Sequence, residues 1–410
     1  MTSYQKFSQA LPDTVSDATK AVHAGKDPSQ HYGALNTPVY QVSTIKFPTF
    51  KALEDILLAP PDEKITYGMH GTPTTYTLEQ AICALEGGYR TRLCASGLTA
   101  ATAPLLCYLS AGDHLLIVDS AYGPTRAFCT SMLSRMGVEI TPFDPSIGKN
   151  IETLIKPGKT KAIFMESPGS WTFEIQDVPA LVKVAKKYDI TTILDNTWAS
   201  PLYFKPFQHG VDVSIQAATK YISGHSDLVL GSVTTTEEAY PKLRAGWQSL
   251  GLCSGGQDAF LATRGIRTIE TRLKQHWKNA LHVAEWMENR PEVYRVLYPA
   301  LPSNPSYELW KRDFLGANGL FTIALKEEYS SNHCVANFVD HLRFFSMGYS
   351  WGGYDSLILP CNALLKRSIS SEFLQSFRGK ALIRIHIGLE NIDDLMEDLE
   401  AGLERMHAVA

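Results

Sequence analysis

A chain of 410 residues with 44% hydrophobic and 20% charged residues has the composition of a globular protein and is long enough for two or three domains. Its net charge of -4 provides no basic surface of the kind that nucleic acids or anionic membranes require, so neither is expected as a partner. We expect a cytoplasmic protein without a metal site, because the sequence has no membrane-length apolar run, no secretory signal pattern, and seven widely spaced cysteines without a C-x-x-C pair.

Residues 1–70 are predicted to form an N-terminal arm that contacts a neighbouring subunit. The first 65 residues contain several Pro and Gly and are expected to be irregular, ending in the acidic, proline-containing stretch 59–63. A segment of this kind buries little apolar surface alone, so it has to pack against the main body or another subunit.

Residues 71–265 are predicted to form a large α/β domain. Apolar runs of strand length alternate here with helical patterns, of which 178–188 is the clearest. These runs lie at 114–118, 161–165, 190–194, 211–215 and 228–233. Such an alternation is typical of a mostly parallel sheet that is covered by helices on both faces.

Residues 266–410 are predicted to form a smaller α+β domain. A long charged helical stretch, 266–289, comes first, and the alternating strand 382–387 follows much later. A final amphipathic helix begins near 392, and Asn391 is well placed to cap its N-terminus.

Polar residues follow several predicted strands of the large domain directly. In an open parallel sheet, ligands bind beyond the carboxyl ends of the strands, so these positions are candidates for a site. They are 119–122, 166–168, 195–198, 218–221 and 224–227.

Two of these positions hold a charge that is unfavourable to bury. Asp195 follows an apolar strand and requires a cationic partner, whereas Lys220 would lose its proton there and could form an imine with an aldehyde. Taken alone, Asp195 is as well explained by an ion pair or a helix cap, and Lys220 by a solvated surface lysine. Together they match two needs of pyridoxal phosphate (PLP), an imine-forming amine and a carboxylate for the protonated ring nitrogen.

Two further features suit the same cofactor. Tyr122 could lay its ring on the pyridine face, and Ser96-Gly97-Leu98 precedes a helical run at 98–108. The N–H groups at the start of that helix would suit a phosphate, although a single Ser-Gly pair is more often only a turn.

The segments around these residues strongly resemble the Cys/Met-metabolism family of PLP enzymes over nearly the whole chain. The resemblance is carried by DNTWA at 195–199, SIQAATKY at 214–221 and GHSD at 224–227. Further motifs are most similar to the bacterial cystathionine β-lyase branch of that family. They are ESPGS at 166–170, YSWGGY at 349–354 and RIHIG at 384–388.

The resemblance implies a three-layer, fold-type I PLP enzyme that acts as a carbon–sulfur β-lyase. L-cystathionine would be cleaved by α,β-elimination to homocysteine, pyruvate and ammonia, by a homo-oligomer that is most often a tetramer built from dimers. A cysteine or S-conjugate desulfhydrase, a methionine γ-lyase or γ-synthase, and an inactive regulatory PLP-binding protein are the alternatives. Gly169-Ser170, which replaces an Asn-containing signature, disfavours the γ reactions.

The resemblance also implies roles for individual residues. Lys220 would carry the cofactor and move the substrate α-proton, Asp195 would hold the ring nitrogen, and Tyr122 would stack on the ring and assist proton transfer. The remaining cofactor contacts would come from Gly97, Leu98, Thr219 and Tyr67, and the substrate contacts from Arg384, Ser350, Trp351 and Tyr67.

Arg384 is the one substrate contact whose chemistry has an independent physical argument. A guanidinium forms a bidentate fork with an α-carboxylate, which a lysine does not. Without the resemblance, Arg384 would be read as a surface charge on an alternating strand, and Trp351 equally well as core packing.

The sequence departs from the family pattern at the phosphate end. Met69 stands where relatives have the arginine of a Tyr-x-Arg pair, with His70 as the next residue, and Ala217 stands where many relatives have a serine. The neutralisation of the phosphate charge is therefore expected to differ from that of other members.

Overall fold

The computed structural model of this protein describes residues 11–12, 14–58 and 65–410 and contains two β-sheets. The predicted acidic stretch 59–63 lies outside the described residues. Helices α1 (Asp17–His23) and α2 (Phe50–Leu58) fall in the segment that was expected to be irregular. In α1, Asp17 lies in the first turn and Lys20 and His23 in the last, so these charges complement the helix dipole.

The larger sheet has the strand order β1-β7-β6-β5-β4-β2-β3. Its strands are β1 (Arg90–Cys94), β2 (His114–Val118), β3 (Glu139–Phe143), β4 (Thr160–Glu166), β5 (Thr191–Asp195), β6 (Val213–Gln216) and β7 (Gly231–Thr235). Strand β7 is antiparallel to both of its neighbours and the other pairs are parallel. The prediction of a mostly parallel sheet is confirmed.

Three helices pack against strands of this sheet and explain its apolar residues: α3 (Pro73–Glu86), α4 (Gly97–Tyr108) and α6 (Val178–Lys187). Of the other helices, α5 (Gly123–Phe128) and α8 (Tyr240–Ser249) pack on α4, and α7 (Ser200–Tyr203) and α9 (Gly256–Ile266) pack on α3. Every residue of β2, β6 and β7 is buried, which requires cover on both faces of the sheet.

The strand predicted at 228–233 is shifted along the chain to Gly231–Thr235. Its buried Thr234 is satisfied across the sheet, since the Thr234 and Thr91 hydroxyls lie 2.7 Å apart. The apolar pattern did not predict this strand end, because threonine is a polar residue. Thr234 can nevertheless be buried, because its hydroxyl is hydrogen-bonded.

The smaller sheet has the order β10-β11-β12-β9-β8 and is antiparallel except for the β10–β11 pair. Its strands are β8 (Val293–Leu297), β9 (Leu320–Leu325), β10 (Ser346–Met347), β11 (Leu357–Pro360) and β12 (Leu382–His386). The two sheets lie on either side of residue 265 in sequence, and the three domain boundaries stay a prediction.

The helices of this half include the predicted C-terminal one. They are α10 (Ile269–Glu288), α11 (Tyr307–Asp313), α12 (Asn332–Val339), α13 (Glu372–Gln375) and α14 (Ile392–His407). The Asn391 side chain accepts a hydrogen bond from the Asp393 N–H, so the predicted cap is confirmed. The predicted helix 266–289 is interrupted after Ile266, since α10 begins at Ile269.

Buried apolar residues form one large cluster and a small second one. The second apolar cluster consists of Leu297, Ala324, Cys361, Phe377 and Leu382, all from the half that contains the smaller sheet. No helix among residues 11–12, 14–58 and 65–410 has the length and apolar character needed to cross a membrane.

Candidate active site

The candidate site lies at the carboxyl ends of β4, β5 and β6. The strand register places Glu166 beside Asp195, and Asp195 beside Ile215. Lys220 follows β6 in a turn whose backbone is closed by a hydrogen bond from the Lys220 N–H to the Ala217 oxygen. Because these strands are parallel neighbours, residues that are far apart in sequence meet at one edge.

The Lys220 amine is in contact with residues of the smaller-sheet half. Its Nζ donates to Ser350 Oγ at 2.6 Å and lies 5.1 Å from the centroid of the Trp351 ring. Burial, reinforced by the positive charge of Arg384, lowers the pKa of Lys220 to about 8, while Asp195 opposes the shift. Neutral amine is therefore available near physiological pH, as a nucleophile or a base requires.

The lowered pKa predicts how cofactor capture depends on pH. Protein from which PLP has been removed is expected to attach it faster as pH rises, with a midpoint near the Lys220 pKa of about 8, because the neutral amine dominates above the pKa. Stopped-flow absorbance after mixing with PLP would measure the rates. A midpoint near 10.5, the ordinary value for lysine, would contradict the geometry around Lys220.

Asp195 is held by its own strand end. Its Oδ1 accepts hydrogen bonds from the Thr197 N–H at 3.0 Å and from the Thr197 hydroxyl at 2.5 Å. Burial raises the pKa of Asp195 despite these bonds and despite the charge of Lys220. A buried carboxylate whose pKa is raised is stabilised by a further cation, which a protonated ring nitrogen would supply.

Glu166 is a member of the site to which the sequence reasoning assigned no role, although it lies in the candidate segment 166–168. Its two oxygens accept hydrogen bonds from the Tyr122 N–H at 2.6 Å and the Ser170 hydroxyl at 2.7 Å. Burial and the neighbouring Asp195 raise the pKa of Glu166 to about 8. Its position at a strand end was recognised, but pairing with Asp195 follows only from the strand register.

Tyr122 precedes α5 and presents its ring at the site. The side chain is 45% exposed, so a ligand ring has access to it. Burial of the hydroxyl and the charge of Glu166 raise the pKa of Tyr122, with Arg384 opposing. The phenol is therefore protonated at neutral pH and is a proton donor.

The N-terminus of α4 approaches the segment that leads to Lys220. The Ser96 side chain caps the helix by accepting from the Thr99 N–H at 3.0 Å, and the Ser96 carbonyl accepts from the Ala100 N–H. The N–H groups of Gly97 and Leu98, the first two of the helix, stay available for an anion such as phosphate.

Thr219, the third predicted phosphate contact, already uses its hydroxyl. The Oγ1 atom accepts from the Leu230 N–H at 3.0 Å and donates to the Leu230 oxygen at 3.1 Å. The hydroxyl proton would reach a phosphate only by leaving the Leu230 carbonyl. Its role as a phosphate ligand stays a prediction.

Gly97 is required by its close approach to Ala217, since an added Cβ would lie 2.5 Å from the Ala217 Cβ. We expect Gly97→Ala to weaken PLP binding about tenfold or more, because the helix N-terminus has to move away from Lys220. The double variant Gly97→Ala/Ala217→Gly should recover part of the loss. Fluorescence titration of PLP measures both, and equal binding by Gly97→Ala and wild type would contradict the prediction.

The predicted substrate residues Ser350, Trp351 and Arg384 come together. Arg384 Nη2 donates to the Ser350 carbonyl at 3.0 Å, while the Ser350 hydroxyl accepts from Lys220. Ser350 has a φ of +76°, a conformation that costs a non-glycine residue about 1–3 kcal/mol. Burial lowers the pKa of Arg384 to about 10, so it stays charged at neutral pH.

Two neighbours of this group, His386 and Trp171, were not among the predicted site residues. The Gly352 N–H donates to His386 Nε2 at 3.0 Å, which ties the segment with Ser350 and Trp351 to β12. The Trp171 ring lies 4.6 Å from the Arg384 guanidinium carbon. Trp351 is partly buried and packs 5.5 Å from the Tyr221 ring, so it both lines the site and packs on the core.

Tyr67 has its contacts elsewhere in the described part of the chain. Its backbone forms a bridge with Thr44, and its ring lies 6.2 Å from the His70 ring. Met69 and His70 line a cleft, and none of the lining residues is Lys220, Asp195 or Arg384. The contact of Tyr67 with the cofactor stays a prediction.

The residues around Lys220 fit PLP. An amine of lowered pKa, a buried carboxylate, an accessible aromatic ring and two helix N-terminal amides match the aldehyde, ring nitrogen, ring face and phosphate of that cofactor. Among the described residues, no group of three or more His, Cys, Asp or Glu side chains is arranged to hold a metal ion.

Comparison with known proteins also indicates PLP as the cofactor. The profile of the "Cys/Met metabolism PLP-dependent enzyme" family matches residues 18–404. A putative cystathionine β-lyase of Rhizobium johnstonii is 46% identical over 393 residues, which is 95% of this chain and 96% of that protein. The cystathionine β-lyase MetC of Escherichia coli is 41% identical over 390 residues, covering 95% and 98% of the two chains.

Two further similar proteins have names that indicate other activities. A protein of Wolbachia pipientis named L-alanine/L-glutamate racemase is 42% identical over 394 residues, 94% of this chain and 96% of that protein. The crystal structure of cystathionine γ-synthase from Xanthomonas oryzae superposes with a TM-score of 0.87 at 30% identity, over 98% of this chain and 100% of that one. The expected fold-type I architecture is confirmed, and the chain belongs to the Cys/Met metabolism family of PLP-dependent enzymes.

Proposed function

We propose that this protein is a carbon–sulfur β-lyase that cleaves L-cystathionine to homocysteine, pyruvate and ammonia. The observation that carries the proposal is the 46% identity, over 95% of the chain, to a protein named as a putative β-lyase of this substrate. The cluster of Lys220, Asp195, Tyr122 and Arg384 supports it, since each group that the reaction needs is present.

Arg384 binds the α-carboxylate in the proposed reaction. The Ser350 carbonyl engages one of its nitrogens at 3.0 Å, so the other donors of the planar guanidinium are free to form a fork with a carboxylate. Burial of Arg384 strengthens this contact, because the ion pair forms away from bulk water. Ser350 contacts both Arg384 and Lys220, so an amino acid bound in this way is proposed to present its α-carbon to Lys220.

Lys220 removes the α-proton. Bound PLP supplies an electron sink that makes this proton acidic, and Asp195 holds the proton on the ring nitrogen on which that sink depends. The Ser350 hydroxyl, 2.6 Å from Lys220 Nζ, orients the amine. Since the pKa of Lys220 is lowered to about 8, the amine is poised to take a proton and return it.

The homocysteine sulfur leaves as a thiolate and requires a proton. Lys220 carries a proton once it has acted as the base, and the Tyr122 phenol is protonated at neutral pH because its pKa is raised. We assign proton delivery to these two groups, with Tyr122 also covering the cofactor ring. Trp351 and Ser350 line the substrate side.

The phosphate is proposed to lie at the N-terminus of α4, against the N–H groups of Gly97 and Leu98. Thr219 and, from a neighbouring subunit, Tyr67 complete this part of the site. Large apolar side chains of the arm support a homo-oligomer, because they are exposed in the single chain. They include Tyr32, Leu35, Phe50, Leu57 and Leu58.

A tetramer built from dimers and a cytoplasmic location are part of the proposal. The seven cysteines are free thiols, and four of them are buried, which suits a reducing compartment. Size-exclusion chromatography with light scattering gives the subunit number directly, and a monomer of 45.4 kDa would refute the shared site.

Product analysis tests the proposed reaction. The purified holoenzyme is incubated with L-cystathionine, and keto acids and thiols are separated and quantified. Pyruvate and homocysteine in equal amounts are expected. Release of 2-oxobutyrate with cysteine would assign the protein to the γ-lyases, and pyruvate from cysteine but not cystathionine would make it a desulfhydrase.

Amino-acid racemisation is a second candidate, favoured by the 42% identity to the Wolbachia racemase. It would need two groups that exchange the α-proton, and Lys220 and Tyr122 are the two proton carriers of the cluster. Chiral chromatography after incubation with L-alanine or L-glutamate would reveal a D-enantiomer. A rate exceeding that of cystathionine cleavage would make racemisation the main activity.

A further inference from the structure

Trp171 lies in the loop between β4 and α6 and has an unfavourable backbone conformation. Its φ is +71°, in the left-handed region that an aromatic side chain rarely adopts. The loop is fixed by backbone hydrogen bonds from Ser170 to Ser120 at 2.8 Å and from Gly169 to Glu174 at 3.0 Å. Strain of this kind persists only where the surroundings over-determine the conformation, and it often marks a functional position.

The Trp171 ring covers the guanidinium of Arg384. The guanidinium carbon lies 4.6 Å from the ring centroid, and Nη2 of the same group donates to the Ser350 carbonyl at 3.0 Å. A planar, weakly hydrated cation such as guanidinium stacks well on an aromatic face. Arg384 is thus fixed in two directions, along its plane by Ser350 and across its face by Trp171.

The same tryptophan packs on the face of β12 that carries Arg384. Leu382 and Arg384 are two residues apart on this strand, so their side chains point to the same face of the smaller sheet. Leu382 belongs to the second apolar cluster, against which Trp171 packs. The loop after β4 of the larger sheet therefore reaches across to the strand that holds the arginine.

We propose that Trp171 is a positioning residue for Arg384 and thereby sets the affinity for the α-carboxylate of the substrate. The inference rests on the proposed function of Arg384 as the carboxylate ligand. A flexible arginine would have to be ordered when the substrate binds, whereas a ring across one face holds the guanidinium ready and excludes water from that face. The α-carboxylate then meets donors that are already aligned.

Two substitutions at Trp171 distinguish the effect of its aromatic face from the effect of its apolar bulk. Trp171→Phe keeps an aromatic face, and Trp171→Leu keeps an apolar side chain without one. Trp286→Leu is the matched control, because the Trp286 ring lies 5.2 Å from Arg290 in a Trp–Arg pair of α10 and the segment after it, outside the site described above. Circular dichroism and the bound-cofactor absorbance establish that each variant is folded and loaded.

The test compares two ligands of the holoenzyme that differ only in the carboxylate, L-alanine and L-alaninamide, by titration of the cofactor absorbance. Trp171→Leu should raise the dissociation constant for L-alanine about 3- to 30-fold, the range of a partly desolvated cation–π contact. Binding of L-alaninamide should be unchanged, and Trp171→Phe should restore most of the L-alanine affinity. For L-cystathionine, KM should rise while kcat at saturation stays near the wild-type value.

Arg384→Lys distinguishes failure of the inference from failure of the proposed function. If this variant binds L-alanine as well as wild type does, Arg384 is not the carboxylate ligand, and the proposed function loses its substrate contact. If it binds L-alanine weakly while Trp171→Leu and Trp286→Leu bind it normally, the positioning role of Trp171 is overturned. Equal loss of L-alanine and L-alaninamide in Trp171→Leu would overturn it as well, since that result means general damage to the loop.

Discussion

Replacement of Lys220 by alanine is expected to lower kcat for cystathionine cleavage by about 10³-fold or more and to abolish covalent attachment of PLP. The reason is that one amine, with its pKa lowered to about 8, serves both as the attachment point and as the base. Pyruvate release measures the first effect. Mass spectrometry of the denatured protein after borohydride reduction measures the second.

Lys220→Arg is the matched control for this experiment. It retains a positive charge next to Ser350 and Asp195 but has no neutral amine at physiological pH. We expect it to fold and to bind PLP without a covalent bond, with activity as low as in Lys220→Ala. A covalent adduct at another lysine, or activity above a tenth of the wild-type value, would move the catalytic amine away from residue 220.

Asp195→Asn is expected to lower kcat by about 10²–10³-fold, the scale of losing one partner of a buried ion pair. An amide carries no charge, so residue 195 would no longer hold the proton of the ring nitrogen. The Thr197 hydrogen bonds to residue 195 are retained in part, so the fold should tolerate the change. Steady-state kinetics and the PLP dissociation constant, measured at the same pH, report the two effects.

Glu166→Gln is the comparison that isolates the role of charge at Asp195. Glu166 is the other carboxyl of the pair, and its pKa is raised to about 8 by burial and by Asp195. We expect a loss of less than about fivefold at pH 7, because an amide replaces a carboxyl group that is mostly uncharged below pH 8. A larger loss than in Asp195→Asn would assign the essential charge to Glu166 instead.

The sequence predicted the strand-end positions of the site because burial and chain direction are local properties. Apolar runs indicated which segments become buried strands, and the carboxyl ends of parallel strands meet at one edge. Asp195 and Lys220 were therefore expected near each other before any distance was known. The residues of the C-terminal half, such as Arg384, were reached only through the family motifs.

Sequence patterns could not predict contacts between segments that are far apart in the chain. Nothing local indicates that the Lys220 amine meets Ser350, 130 residues later, or that Gly352 is tied to His386. The shifted strand β7 has the same origin, since the hydroxyl of its buried Thr234 is hydrogen-bonded to Thr91 of another segment. The proposed contribution of Tyr67 from a neighbouring subunit likewise depends on contacts that a sequence pattern does not contain.

The sequence by itself determined the fold class and the cofactor and led to Lys220 as the proposed attachment point, since these depend on strand periodicity and on motifs within short segments. Only the tertiary structure decided the pKa shifts of the carboxyl groups in the site and the way in which its substrate-binding arginine is held. The strand register sets Glu166 beside Asp195, so that burial and Asp195 together raise the pKa of Glu166, while burial raises the pKa of Asp195. A strained loop sets Trp171 on Arg384. Such effects depend on burial and on distances of a few ångströms between segments, which a linear pattern does not contain.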